Sequence, residues 1–170
     1  MSLDNIHLPG FLYVSMFKNY LVDLKPNKDN KTAAPQVTVG FLGGNSQNIL
    51  LVTKDIQNKF LADDQMKFLN DLLNACNLTM ADIAVVNIYE KNGLTYQDLK
   101  KELIPKKILL FGVAAKELDL PFEIPFFQVQ NFHEQLYIIC PSLEEIQLNK
   151  DLKKQLWNSL QKIFNIQKQK

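Results

Sequence analysis

Apolar positions along the chain switch between a helical and a strand-like period, and the switches outline its elements. From Leu8 to Leu24, Phe11, Leu12, Tyr13, Met16, Phe17, Tyr20, Leu21 and Leu24 recur at three- and four-residue spacing, which predicts an aromatic-rich amphipathic element opened by Leu8-Pro9-Gly10. The polar stretch from Lys25 to Pro35 is bracketed by prolines and reads as a linker. The pattern therefore divides the chain into an N-terminal segment with linker, residues 1–35, and a folded domain, residues 36–170.

Within the domain, the apolar runs Val37 to Leu42 and Ile49 to Thr53 flank Gly43-Gly44-Asn45-Ser46, a local signal for a β-hairpin. Asp63 and Asp64 open a helix carrying Met66, Phe68, Leu69, Leu72, Leu73 and Cys76 on one side, ended by Asn77. Thr79-Met80-Ala81-Asp82 has the form of a capping box and leads into Ile83 to Ile88, a continuous apolar run suited to a strand covered on both faces. Thr95-Tyr96-Gln97-Asp98 repeats the capping signature before a helix that stops at Pro105. Ile108 to Phe111 is a second buried strand, followed by helix-forming residues Ala114 to Leu118. Strands are predicted again over Phe126 to Val129 and Gln135 to Cys140, then a short helix capped by Ser142 and a final helix from Asp151 to Phe164. Strand and helix alternate, so the expected class is α/β: a central, largely parallel sheet flanked by helices.

Composition narrows the chemistry. The chain has 170 residues, 46% hydrophobic and 22% charged, enough for one domain with a real core. All 19 basic residues are lysine, against 18 acids, for a net charge of +1. Without arginine there is no guanidinium fork for bidentate readout of bases or phosphates, and the near-zero balance gives no broad basic footprint. Weak or no direct nucleic-acid binding is expected. Cys76 and Cys140 are far apart, and with only His7 and His133 beside them they form no familiar zinc or redox spacing, so no metal and no cofactor are expected. No apolar run is long enough to span a bilayer, which predicts no membrane association and a cytoplasmic location.

In open α/β sheets ligands sit beyond the carboxyl ends of the strands. Three predicted strand ends are candidate pocket positions: Lys54-Asp55, Gly112, and Cys140-Pro141-Ser142. Asp55 is the candidate base or water-orienting carboxylate, although an acid at a strand end is more often a helix cap. Cys140 as a nucleophile with His133 as its base is disfavoured, because an alternating strand puts the two on opposite faces. Gly43-Gly44-Asn45-Ser46 lacks the lysine and hydroxyl ending of a phosphate loop.

Taken in order, Val52-Thr53-Lys54-Asp55, Leu109-Leu110-Phe111-Gly112-Val113-Ala114 and Cys140-Pro141-Ser142-Leu143 resemble the three strand-end motifs of the uracil-DNA glycosylase superfamily. Those are a Gly-Gln-Asp-Pro type water-activating motif, a Leu-Leu-Gly pattern and a His-Pro-Ser end. The resemblance implies a glycosylase-like three-layer topology. It also implies a flipped base held by stacking and polarised by a histidine, where this chain has Cys140. Ile56 and Gln57 stand where that family has a proline and an aromatic after the aspartate.

A leading segment before paired short strands (Val37 to Thr53), a helix ending at Leu78-Thr79, and a Pro141-Ser142-Leu143 element followed by a helix with Leu156-Trp157 resemble the psi-subunit family of the bacterial DNA polymerase III clamp loader. That family shares the glycosylase-like fold without catalysis. The resemblance implies a non-catalytic interaction subunit of DNA replication machinery, with clamp-loader or polymerase III subunits as protein partners. By position it makes Phe11, Tyr13 and Phe17 partner-binding residues on a docking arm. The alternative is a DNA-repair glycosylase that hydrolyses an N-glycosidic bond with Asp55 orienting water.

Overall fold

The computed structural model of the chain describes residues 39–89 and 94–166. Phe11, Tyr13, Phe17 and the boundary at residue 35 lie outside them. The described residues form an α/β domain built on a mixed sheet of six strands: β1 (Leu42–Gly43), β2 (Ile49–Thr53), β3 (Ile83–Asn87), β4 (Lys107–Phe111), β5 (Val129–Phe132) and β6 (Gln135–Cys140), in the order β1-β3-β2-β4-β6-β5. The four inner strands run parallel, with Leu51 opposite Val85 and Leu109, and Leu109 opposite Ile138. Each edge is closed by an antiparallel strand.

Every residue of β2 and β3 is buried, as continuous apolar runs in a two-sided sheet require. Alternation then sorts the side chains onto two cores. On one face Leu50, Val52, Ala84, Val86, Ile108, Leu110 and Tyr137 pack under α2 (Tyr96–Leu103) and a 3-10 turn, Ala115–Leu118. On the other, Ile49, Leu51, Ile83, Val85, Leu109, Phe111, Ile138 and Cys140 pack under α1 (Asp63–Ala75), α3 (Leu143–Leu148) and α4 (Lys150–Ile163). Trp157 is half-buried against that second core.

Helix ends follow their local chemistry. Thr95 and Asp98 complete a capping box at α2, where Thr95 Oγ1 donates to Asp98 Oδ2 (2.8 Å) and the Thr95 N–H donates to the same oxygen (3.1 Å). Ser142 and Asn149 cap α3 and α4 by accepting from backbone N–H groups. At Thr79–Asp82 the same signature builds only a turn into β3, with the Thr79 N–H and hydroxyl both on Asp82 Oδ2.

The expected hairpin of residues 37–53 does not form. β1 pairs with β3, whereas β2 pairs with β3 and β4. The glycines serve close approach between segments. A Cβ on Gly43, whose φ is +112°, would collide with the Ile83 carbonyl oxygen and stand 2.7 Å from that of Met80, and one on Gly44 would stand 2.5 Å from the Ala81 carbonyl oxygen. The strand expected over Phe126 to Val129 begins only at Val129. Phe127 is left-handed at φ 62°, with its N–H on the Ile139 carbonyl (2.9 Å) and its carbonyl accepting from Ser159 Oγ (2.6 Å).

Candidate binding cleft at the strand ends

From β2 the chain crosses through α1 to β3 on one side, then through α2 to β4 on the other side of β2. This reversal opens a crevice between the carboxyl ends of β2 and β4, where open sheets bind ligands. A cleft of about 430 Å³ lies there. Its wall is the loop after β2 (Lys54, Asp55, Ile56, Gln57, Asn58), the start of α1 (Ala62, Asp64, Gln65), the end of β4 (Phe111) and the turn into α3 (Ser142, Leu143, Glu144).

The loop after β2 is held by residues on two strands. Asn87, last in β3 and 5% exposed, accepts at Oδ1 from the Asp55 N–H (3.1 Å) and the Tyr89 N–H (3.0 Å), and donates from Nδ2 to the carbonyls of Asp55 and Asn58 (2.8 Å each). All four hydrogen-bonding capacities of one amide are used to fix the cleft wall. Thr53 Oγ1 lies within bonding distance of the carbonyls of Val86 (3.4 Å) and Phe60 (3.5 Å). Sequence reasoning passed over Asn87. Its signal was a polar residue inside the apolar run Ile83 to Ile88.

Asp55 turns its carboxylate back on its own loop. Oδ1 accepts from the N–H groups of Gln57 (2.8 Å) and Asn58 (3.0 Å), and Oδ2 from Asn58 Nδ2 (3.1 Å). Partial burial pushes its pKa up, but the hydrogen bonds from Gln57, Asn58 and Ala62 outweigh that and hold it below the ordinary aspartate value. Asp55 is therefore an ionised brace for the loop, in the manner of an Asx turn. Lys54 reaches across the crevice to Glu117 on the 3-10 turn, Nζ to Oε2 2.5 Å, a partly exposed pair. The hydrogen bond from Lys54 lowers the Glu117 pKa against a smaller effect of burial.

Gly112 packs against Ser142, which lines the cleft. Gly112 is left-handed (φ 64°), and a Cβ there would lie 3.1 Å from Ser142 Cβ. Its N–H donates to the Cys140 carbonyl (3.0 Å), which ties the end of β4 to that of β6. Ser142 Oγ accepts from the Glu145 N–H (3.2 Å). Cys140 and Pro141 are buried beneath this turn, and burial pushes the Cys140 thiol up to about 12. His133, exposed in the β5–β6 turn, lies at the other end of β6 from Cys140.

Of the six candidate pocket positions, Lys54, Asp55 and Ser142 line the cleft, Gly112 packs against Ser142, and Cys140 and Pro141 stay inside the domain. The one aromatic in the lining, Phe111, is 2% exposed and offers no open ring face. Charged lining residues are Asp55, Asp64 and Glu144 against Lys54 alone. On the loop, Ile56 is 70% exposed, and just past Asn87, Tyr89 is 42% exposed.

Among the described residues no group of three or more histidines, cysteines or acids is placed to hold a metal ion, and no helix is long and apolar enough to cross a membrane. No protein-family model matches the chain, and no curated protein matches it in sequence.

Proposed function

We propose that the protein is a non-catalytic interaction subunit of DNA replication machinery, of glycosylase-like topology and resembling the clamp-loader psi subunit, working in the cytoplasm through protein partners among the clamp-loader or polymerase III subunits. The observation that carries this reading is the state of the strand-end cleft. It lies at the carboxyl ends of the inner strands, where an α/β enzyme would bind its ligand, yet its groups are turned to holding the loop together. Asp55 spends both oxygens on Gln57 and Asn58, Cys140 is buried, and the one aromatic of the described lining, Phe111, offers no open ring face. An acid-rich lining repels a polyanion. The exposed aliphatic side chain of Ile56 in its lining suits a protein surface better than a phosphate backbone.

Affinity capture of the full chain from its own source, read by mass spectrometry, tests the proposal. Clamp-loader or polymerase III subunits are the expected captures, and their absence overturns it. The glycosylase reading keeps one specific support, because the three motif-like segments border or underlie a single cleft through the Gly112–Ser142 contact. It requires uracil excision that is abolished by Asp55→Asn.

A further inference from the structure

The cleft at the strand ends keeps room and chemistry that its own loop does not use. Its volume of about 430 Å³ lies within the range of ligand pockets, and part of the wall is apolar, formed by Ile56, Leu61, Ala62 and Leu143. Asp55 and Asn58 are spent on the loop and Ser142 on the cap of α3. Acceptors on three separate elements are left. Asp64 stands in the first turn of α1 and Glu144 in the first turn of α3; both are exposed, and neither forms an ion pair among the described residues. Thr53, the last residue of β2, belongs to the same wall and is 3% exposed. The one hydrogen of its hydroxyl has the carbonyls of Val86 and Phe60 for partners, at 3.4 and 3.5 Å, and no N–H or O–H of the described residues donates to Oγ1. A hydroxyl buried in the cleft wall therefore keeps its lone pairs open to a donor.

The cations around the cleft do not neutralise it. Lys54, the one basic residue of the lining, is taken by Glu117, which stands outside the lining. Lys59 lies over the Phe60 ring (5.5 Å), and Lys67, three residues after Asp64 on α1, is also outside the lining. Setting Lys54 against Glu117 and Lys67 against Asp64 still leaves Glu144 in excess, together with Asp55, which its hydrogen bonds keep ionised. The ligand that fits is a donor without acceptors, positively charged and carried on an apolar stem. A lysine side chain meets each condition, and its three N–H groups diverge toward acceptors on separate elements, whereas a guanidinium confines its donors to one plane.

We propose that the cleft takes a lysine side chain from a protein partner, with the ammonium on Asp64, Glu144 and Thr53 Oγ1 and the aliphatic stem along Leu61 and Ile56. The inference rests on the reading of the chain as an interaction subunit and names the chemistry of the partner at that site. Ile56, 70% exposed in the wall, supplies apolar contact for residues flanking the lysine, which a free diamine lacks.

Fluorescence anisotropy of the full chain with a labelled peptide, one central lysine between leucines in a serine-glycine background, tests the assignment. Saturable binding is expected, weakened about tenfold in Asp64→Asn/Glu144→Gln. Asp71→Asn/Glu145→Gln removes the same charge from the same two helices outside the lining, and affinity should stay as in the parent. Absence of binding overturns the proposal, as does equal affinity for the peptide with acetyl-lysine, an equal loss in both double variants, or tighter binding of cadaverine than of the peptide. Peptide binding without clamp-loader capture would retire the replication role and leave the cleft assignment standing. Clamp-loader capture with no peptide binding would do the reverse.

Discussion

Asn87 is a buried amide whose four hydrogen bonds hold the wall of the cleft together. Removing it in Asn87→Ala leaves the Asp55 N–H and carbonyl without their partner, and each buried orphan costs about 1–3 kcal/mol. The expected loss is roughly 2–4 kcal/mol of unfolding free energy in urea. Amide exchange should accelerate in the loop of residues 54–58, whereas a loss below about 0.5 kcal/mol would mean the loop stands without Asn87. Burial also governs the two cysteines, which raises Cys76 to about 11 and Cys140 to about 12 from an ordinary 9.0. A native pKa above the unfolded one gives stability that is complete below the unfolded value and drains as pH rises through the native values. Thermal unfolding from pH 8 to 11 should therefore show a falling melting temperature above about pH 9, diminished in Cys140→Ala relative to the parent. Neither thiol should react with a chromogenic disulfide at pH 8 until the domain unfolds. Fast labelling of Cys140 in the native state would contradict its placement inside the second core.

The elements differ in how far local pattern reveals them. The helix from Asp63, the Thr95 capping box and the buried runs of β2, β3, β4 and β6 were legible, because their signals lie within a dozen residues of chain. β1 was not. A two-residue strand has no periodicity, and the reason for Gly43 and Gly44 is the backbone at Met80 to Ile83, about forty residues away. Phe127 misled for a similar cause, since its left-handed backbone is imposed by Ile139 and Ser159. The β5–β6 hairpin offers a clean test of local strain. Its two-residue turn, His133-Glu134, takes φ of 47° and 63°, the I′ form that favours asparagine and glycine. Glu134→Gly is expected to stabilise the domain by about 0.5–1 kcal/mol, read as a higher urea midpoint at unchanged slope. A lower midpoint would show that the Glu134 side chain contributes more than its backbone costs.

Across the whole domain, a mixed sheet carries a core on each face. The carboxyl ends of the inner strands carry a cleft lined by Asp55, Asp64 and Glu144 against Lys54. The net charge of +1 conceals this local excess of acid, because composition counts charges without placing them. The position of the cleft was legible, since a parallel sheet gathers its strand ends on one side, and of the six candidate positions Lys54, Asp55 and Ser142 line it. The fates of Asp55 and Cys140 were not. They depend on which neighbour claims a carboxylate and how deeply a thiol sinks, and both are set by tertiary packing. The most direct test of the proposed interaction role is reconstitution, in which the purified full chain is mixed with the purified clamp-loader complex of its own source and resolved by size-exclusion chromatography. Co-elution at one fixed stoichiometry, retained in Asp55→Asn, is the predicted result. Separate elution of the chain at micromolar concentrations of both components would contradict the account.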